Sequence, residues 1–173
     1  MRNFYILFGV FCIFTAHPAF AETKPVLQHV PEAQKVGAGR LSFLFWDVYD
    51  ATLYAPEKRY NAIHPYALRL AYLLELKGAD IAERSVEEMR KQGFKDETKL
   101  SEWQKAMEKL FPDVKEGSVL TGIRDAKGEA LFYLDEAFIG SIKDKAFTER
   151  FFAIWLAKNT SEPTLRKQLL GLD

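Results

Sequence analysis

Few side chains in this 173-residue chain are of a type and spacing to do chemistry. Arg40 closes the run Gly37-Ala38-Gly39-Arg40 at the head of an apolar strand pattern. A guanidinium there either points to water or faces a cavity. In a cavity its rigid fork suits a carboxylate or the oxygen of an enolate. Tyr49 and Tyr54 stand an odd number of residues apart in Val48-Tyr49-Asp50-Ala51-Thr52-Leu53-Tyr54, so a regular strand sends them to opposite faces. Only one can join a pocket unless a bulge intervenes, and core packing competes for both. Tyr72 lies mid-pattern in a third candidate strand and can line the same space. The chain lacks G-x-S-x-G, H-E-x-x-H and a P-loop. His29 and His64 fall in loop-like segments without ligand spacing, so no metal and no cofactor is expected. Glu83, Glu87 and Glu88 read as a solvated helix face. The two glycines precede a strand instead of opening a helix, which rules against a dinucleotide fingerprint. They suit backbone freedom at a strand start or a bulge.

These groups need a scaffold, and its first feature is an address. Residues 1–21 predict a cleavable export signal: Arg2, an apolar run over 4–16, then Ala19-Phe20-Ala21 as a small-x-small cleavage site. The run is shorter than the roughly 20 residues of a membrane span. Cleavage leaves a chain beginning at Glu22, expected in a bacterial periplasm or secreted. The only cysteine, Cys12, goes with the signal, which excludes disulfides and thiol chemistry from the remainder. Residues 22–35 read as a loose lead-in with room for one short edge strand, and 36–173 as one domain. Lys plus Arg equal Asp plus Glu at 24 each and are scattered, which argues against nucleic acid. No later segment is long and apolar enough to span a membrane after the signal is removed.

Strands come first along that domain. Residues 41–46 are apolar on both faces, as in a strand covered on both sides. Residues 48–54 follow at once, although Trp46-Asp47 is a poor turn pair. Residues 66–74 alternate cleanly, with Leu68, Leu70, Tyr72 and Leu74 on one face. A helix then starts at Asp80, with Glu83 completing a capping box, and ends at Gly93. A second runs over 98–111 and stops at Pro112. Residues 119–124 and 130–134 make a hairpin around Gly128, and 138–142 a short strand. Asp144 caps a helix bearing Phe147, Phe151, Ile154 and Trp155, and Glu162-Pro163 opens a last helix that Gly171 ends. The order predicts an α+β fold, a mainly antiparallel sheet with helices on one face.

Four stretches, Gly37-x-Gly39-Arg40, residues 48–54, Phe151-Phe152-x-Ile154-Trp155-Leu156 and Leu165-Arg166-x-x-Leu169-Leu170-Gly171, resemble the chalcone isomerase-like proteins, in particular their exported bacterial branch. The resemblance implies an open-faced β-sandwich: a large antiparallel sheet, helices packed on one face, and a cleft between them. Its members include plant isomerases that close a chalcone to a flavanone, plastid fatty-acid binders and non-catalytic relatives. It implies that Arg40 matches the arginine that holds the enzymes' oxyanion and that Tyr49 falls at their strand threonine. Their catalytic tyrosine falls on Ile81, which can neither donate a hydrogen bond nor move a proton. The expectation is therefore a non-catalytic binder of a small amphipathic ligand such as a fatty acid, held by Arg40 and Tyr49 with Tyr72 lining the cleft. The alternative is an isomerase or lyase on an unknown substrate, with Arg40 stabilising an oxyanion and Tyr49 as acid. A scaffold with a vestigial cleft is the third class. The ligand's identity and the oligomeric state are left open.

Overall fold

The computed structural model describes residues 24–172, so the expected signal segment lies outside the described residues. Among these, six strands form one antiparallel sheet in which each pairs with its sequence neighbours. They are β1 (Ala33–Phe43), β2 (Trp46–Pro56), β3 (Tyr66–Tyr72), β4 (Val119–Arg124), β5 (Ala130–Leu134) and β6 (Ala137–Ile142). Helices α2 (Gly78–Lys91) and α3 (Glu97–Leu110) join β3 to β4, and α4 (Lys145–Leu156) and α5 (Pro163–Leu170) follow β6. These helices cover one face, as the open-faced arrangement requires. No helix among the described residues is long and apolar enough to cross a membrane.

The alternation legible in 66–74 decides the two sides of the sheet. Leu68, Leu70 and Tyr72 turn inward to the main core, while Ala67 belongs to a separate cluster on the outer face with Ile123 and Tyr133. The aromatic load of the chain gathers where α4 meets the sheet. Phe151 packs edge-to-face on Phe132, Phe152 and Trp155 and stacks on Phe147. Such pairs contribute about 0.5–1.5 kcal/mol each beyond area burial. Asp144 caps α4 by accepting from the backbone N–H groups of Ala146 and Phe147.

Three elements differ from the sequence reading. The lead-in folds as a short helix, α1 (Lys24–His29), and the first residues of β1. Val26 and Val30 seal the outer apolar cluster, which a free lead-in would leave in water. Helix α2 starts two residues before Asp80, so Asp80 lies in its first turn and caps nothing. The orphan N–H of Gly78 is instead satisfied by Asp113 Oδ1 at 2.9 Å, from beyond α3. Finally, β1 and β2 meet at Leu44-Phe45, with Phe43 paired to Trp46. Residues 43–46 are not covered on both sides: they form the exposed end of a hairpin.

The glycines of β1 have a steric purpose. Gly37 and Gly39 face α5, and a Cβ on Gly37 would collide with the carbonyl oxygen of Gln168. On Gly39 it would meet the Gln168 side-chain oxygen and sit 2.9 Å from a Leu165 methyl. The first strand can lie against the last helix only where it carries no side chains.

Candidate functional site

A bulge between Lys35 and Gly37 sets the pleat of β1. From there Gly37, Gly39 and Leu41 point toward the helices and Arg40 points away. Arg40 lies opposite Asp50 in the ladder, and Leu41 opposite Tyr49. The outer-face pair is closed on itself. Arg40 Nε and Nη2 donate to the two carboxylate oxygens of Asp50 at 2.7 and 2.9 Å. Its Nη1 donates to Asp47 at 2.8 Å, and Ser42 Oγ donates to the other Asp47 oxygen at 2.6 Å. The hydrogen bonds from Ser42 and Arg40 hold the Asp47 carboxyl below its usual range, and Asp50 and Asp47 push the Arg40 guanidinium further up. The expected placement of Arg40 in the cleft is thus corrected. It is about half exposed on the opposite side of the sheet. His29 lies on that side too, with Nε2 2.6 Å from Tyr133 Oη.

On the inner side a cavity of about 360 Å³ opens between the sheet and α2, α4 and the start of α5. Its walls are Leu70, Leu120, Ile81 and Phe151 among other apolar side chains. Tyr49 and Tyr72 both line it, their rings edge-to-face with centroids 5.7 Å apart. Trp155 Nε1 donates to Tyr49 Oη at 2.9 Å, so the phenol's own proton is left for another acceptor. Burial pushes the Tyr49 phenol far above its ordinary value of 10.0, against the lowering effect of the Trp155 hydrogen bond. Burial does the same to Tyr72, only 2% exposed, with the neighbouring Tyr49 adding to it. Both groups are neutral at physiological pH: good hydrogen-bond donors and poor proton-transfer catalysts.

The polar edge of the cavity comes from α2. Asp80, Arg84 and Glu88 follow at i, i+4 and i+8 along the side of the helix that meets the cavity, with Ser161 and Glu162 opposite. Glu88 is 4% exposed. It accepts from Ser161 Oγ at 2.6 Å and Lys91 Nζ at 3.1 Å, and pairs with Arg84 Nη2 at 2.7 Å. Burial pushes its carboxyl up, but these partners outweigh burial and hold it below its ordinary 4.5. Glu88 is therefore a buried structural anion that fixes Arg84 at the cavity edge, and the reading of it as solvated helix surface is corrected. The signal was present in the sequence. The apolar stripe through Ile81 runs on through Ser85 to Glu88, so a polar group was bound to fall on the buried face. Nothing in the local sequence pattern of Arg84 separates it from a solvated arginine.

Residues 33–171 match the family described as chalcone isomerase-like. The chain belongs to that family. An uncharacterized protein of Haemophilus influenzae is 27% identical over 139 residues, covering 80% of this chain and 68% of that protein. The crystal structure of the Arabidopsis thaliana fatty-acid binding protein AtFAP1 matches with a TM-score of 0.62 at 15% identity, covering 81% of this chain and 87% of that one. At this identity the likeness is one of fold. In this chalcone isomerase-like domain the position expected to carry the enzymes' tyrosine, Ile81, does face the cavity, and it presents only hydrocarbon. With Arg40 outside, the isomerase or lyase arrangement lacks its expected electrophile, while Tyr49, its expected acid, lines the cavity. Among the described residues no group of three or more His, Cys, Asp or Glu side chains could hold a metal ion.

Proposed function

We propose that this domain is a non-catalytic binder of a small amphipathic molecule, with a fatty acid as the ligand class. One observation carries the proposal: an apolar-walled cavity that holds two neutral phenols and has one guanidinium at its edge. The arginine–tyrosine pair expected at Arg40 and Tyr49 has its counterpart in Arg84 and Tyr49. Both residues line the cavity, and Arg84 is held at its edge by Glu88. A carboxylate placed there takes a charge-assisted hydrogen bond from Arg84 and a neutral one from Tyr49, while the tail lies along Leu70 and Leu120. At roughly 30 Å³ per heavy atom, the share that a water takes in the liquid, the space suits about a dozen heavy atoms, the size of decanoate. The fold likeness to a fatty-acid binding protein supports the same class. Asp80 and Glu162 oppose a carboxylate at this edge, so the apolar tail supplies most of the affinity.

Calorimetric titration with decanoate and with decanol separates head from tail. Both should bind. Arg84→Gln should weaken decanoate about tenfold, the loss of one charge-assisted contact, and leave decanol within twofold. Arg40→Gln should leave both unchanged. Failure of either ligand to bind, or a decanoate loss with Arg40→Gln instead of Arg84→Gln, would overturn the proposal. Residues 1–21 further support placement outside the cytoplasm in the periplasm. The mass of the protein recovered from a periplasmic extract should then correspond to a chain starting at Glu22, and a full-length mass in the cytosol would refute it.

A further inference from the structure

Four consecutive apolar residues stand in water at the end of the β1–β2 hairpin. Phe43, Leu44, Phe45 and Trp46 are 62%, 78%, 98% and 70% exposed. Together they gather on the order of 600 Å² of surface, the upper end of the largest apolar patches that monomeric proteins show. Leu44 turns the chain with φ at 56°. That is the left-handed region where glycine or asparagine is the unstrained choice. A turn serving only to join two strands would carry one of those residues, without adding a leucine to the wet surface. The tip is also continuous with the cavity, because Phe43 lines it while remaining largely exposed.

We infer that this hairpin tip inserts shallowly into a lipid bilayer and sets the cavity opening against the membrane surface. Shape is the first argument. The four side chains run around the turn and Phe45 is bare on all sides, so the partner must surround the tip instead of covering one face. Fluid acyl chains do this, and tryptophan and phenylalanine are residues that settle at the headgroup boundary. The backbone is the second. Pairing continues to Phe43 and Trp46, so only the two turn residues carry unpaired polar groups into hydrocarbon, where such groups are costly. Depth is the third. Immediately behind the tip, on the outer face only, Ser42, Asp47, Arg40 and Asp50 form a closed hydrogen-bonded collar. From turn to collar is about 7 Å at roughly 3.3 Å per residue, within the roughly 5–10 Å that interfacial elements reach. The collar holds one guanidinium and two carboxylates, so insertion draws on apolar burial and needs no anionic lipid. The link between tip and cavity, a ligand passing from bilayer to pocket, rests on the function proposed above. The insertion itself does not.

The test is partition of the full chain, as cells process it, onto phosphatidylcholine vesicles and onto vesicles that also contain phosphatidylglycerol. Brominated acyl chains report depth by quenching tryptophan. Wild type should partition onto both vesicles, with quenching that Trp46→Phe removes. The Leu44→Gly, Phe45→Ser double variant should lose at least tenfold in partition. It should keep its circular dichroism spectrum and its decanoate affinity in vesicle-free buffer within twofold, since neither residue lines the cavity. Three results would overturn the inference: no partition of wild type, partition only onto anionic vesicles and abolished by salt, or a wild-type dimer in vesicle-free buffer that the double variant dissolves. If decanoate fails to bind while Trp46 is still quenched, insertion stands and the amphipath site falls.

Discussion

The two faces of the β1–β2 hairpin are built from alternate residues of the same strands, and they carry very different loads. On the inner face Gly37 and Gly39 take the weight of α5, while Leu41 and Tyr49 line the cavity. One residue from Leu41 and from Tyr49, Arg40 and Asp50 pair in water, and a register shift brings Asp47 to the same side; each is about half exposed. The outer cluster has the shorter and more numerous charged hydrogen bonds, yet solvent and salt screen it. A missing side chain at Gly37 matters more than a bidentate arginine at Arg40. A single step in the pleat decides more than the chemical type of the residue.

The sharpest way to break this contrast is Gly37→Ala. Its methyl group meets backbone, which cannot swing aside, so a loss of about 3 kcal/mol in urea unfolding is expected. Gly39→Ala should cost less, because its first obstacle is the movable end of the Gln168 side chain. Equal small losses would mean that α5 does not bear on β1. The next effect is alkaline. The Tyr49 and Tyr72 phenols have raised values in the folded state, so above pH about 10 the unfolded chain gives up protons that the native chain keeps. Stability from these two groups is complete below that pH. It then falls as pH rises, by up to about 1.4 kcal/mol per pH unit for each group. Urea midpoints at pH 9, 10 and 11 would show this, and the fall should be shallower in Tyr49→Phe. At neutral pH that variant leaves the buried Trp155 N–H without its acceptor, a loss of about 1–2 kcal/mol. The smallest effect is expected on the outer face: Arg40→Gln should leave the thermal midpoint where it is, at low and high salt alike. A shift as large as that of Tyr49→Phe would show that the collar holds the hairpin together.

Much of the fold was legible because its signals are local. The alternation through Leu68, Leu70 and Tyr72, the Asp144 cap and the left-handed Gly171 after α5 depend on a few neighbouring residues, and all are found as read. What escaped depends on residues far apart in the chain. Whether Arg40 faced cavity or water was fixed by the bulge upstream at Val36, which no pattern marks. The turn at Leu44-Phe45 lacks turn residues, and a hairpin end that is apolar on both sides looks the same in sequence as a strand buried on both sides. Asp113 replaces Asp80 as the partner of the α2 start from the far side of α3. Of the three candidate site residues, Tyr49 and Tyr72 line the cavity and Arg40 does not. Arg84, which takes its place in the proposed site, is singled out only once Glu88 is known to be buried.

The order of the strands also bears on how the chain assembles. In a sheet where every strand pairs with its sequence neighbours, most pairings close short loops, and β1–β2 and β4–β5–β6 can each form early. The β3–β4 pairing is different, since α2 and α3 lie between its partners. Loop-closure entropy makes that pairing the late and costly contact. The two halves of the sheet then meet along one seam, and its completion brings Leu70 beside Leu120. These two residues line the cavity, so its floor is completed only with that late pairing.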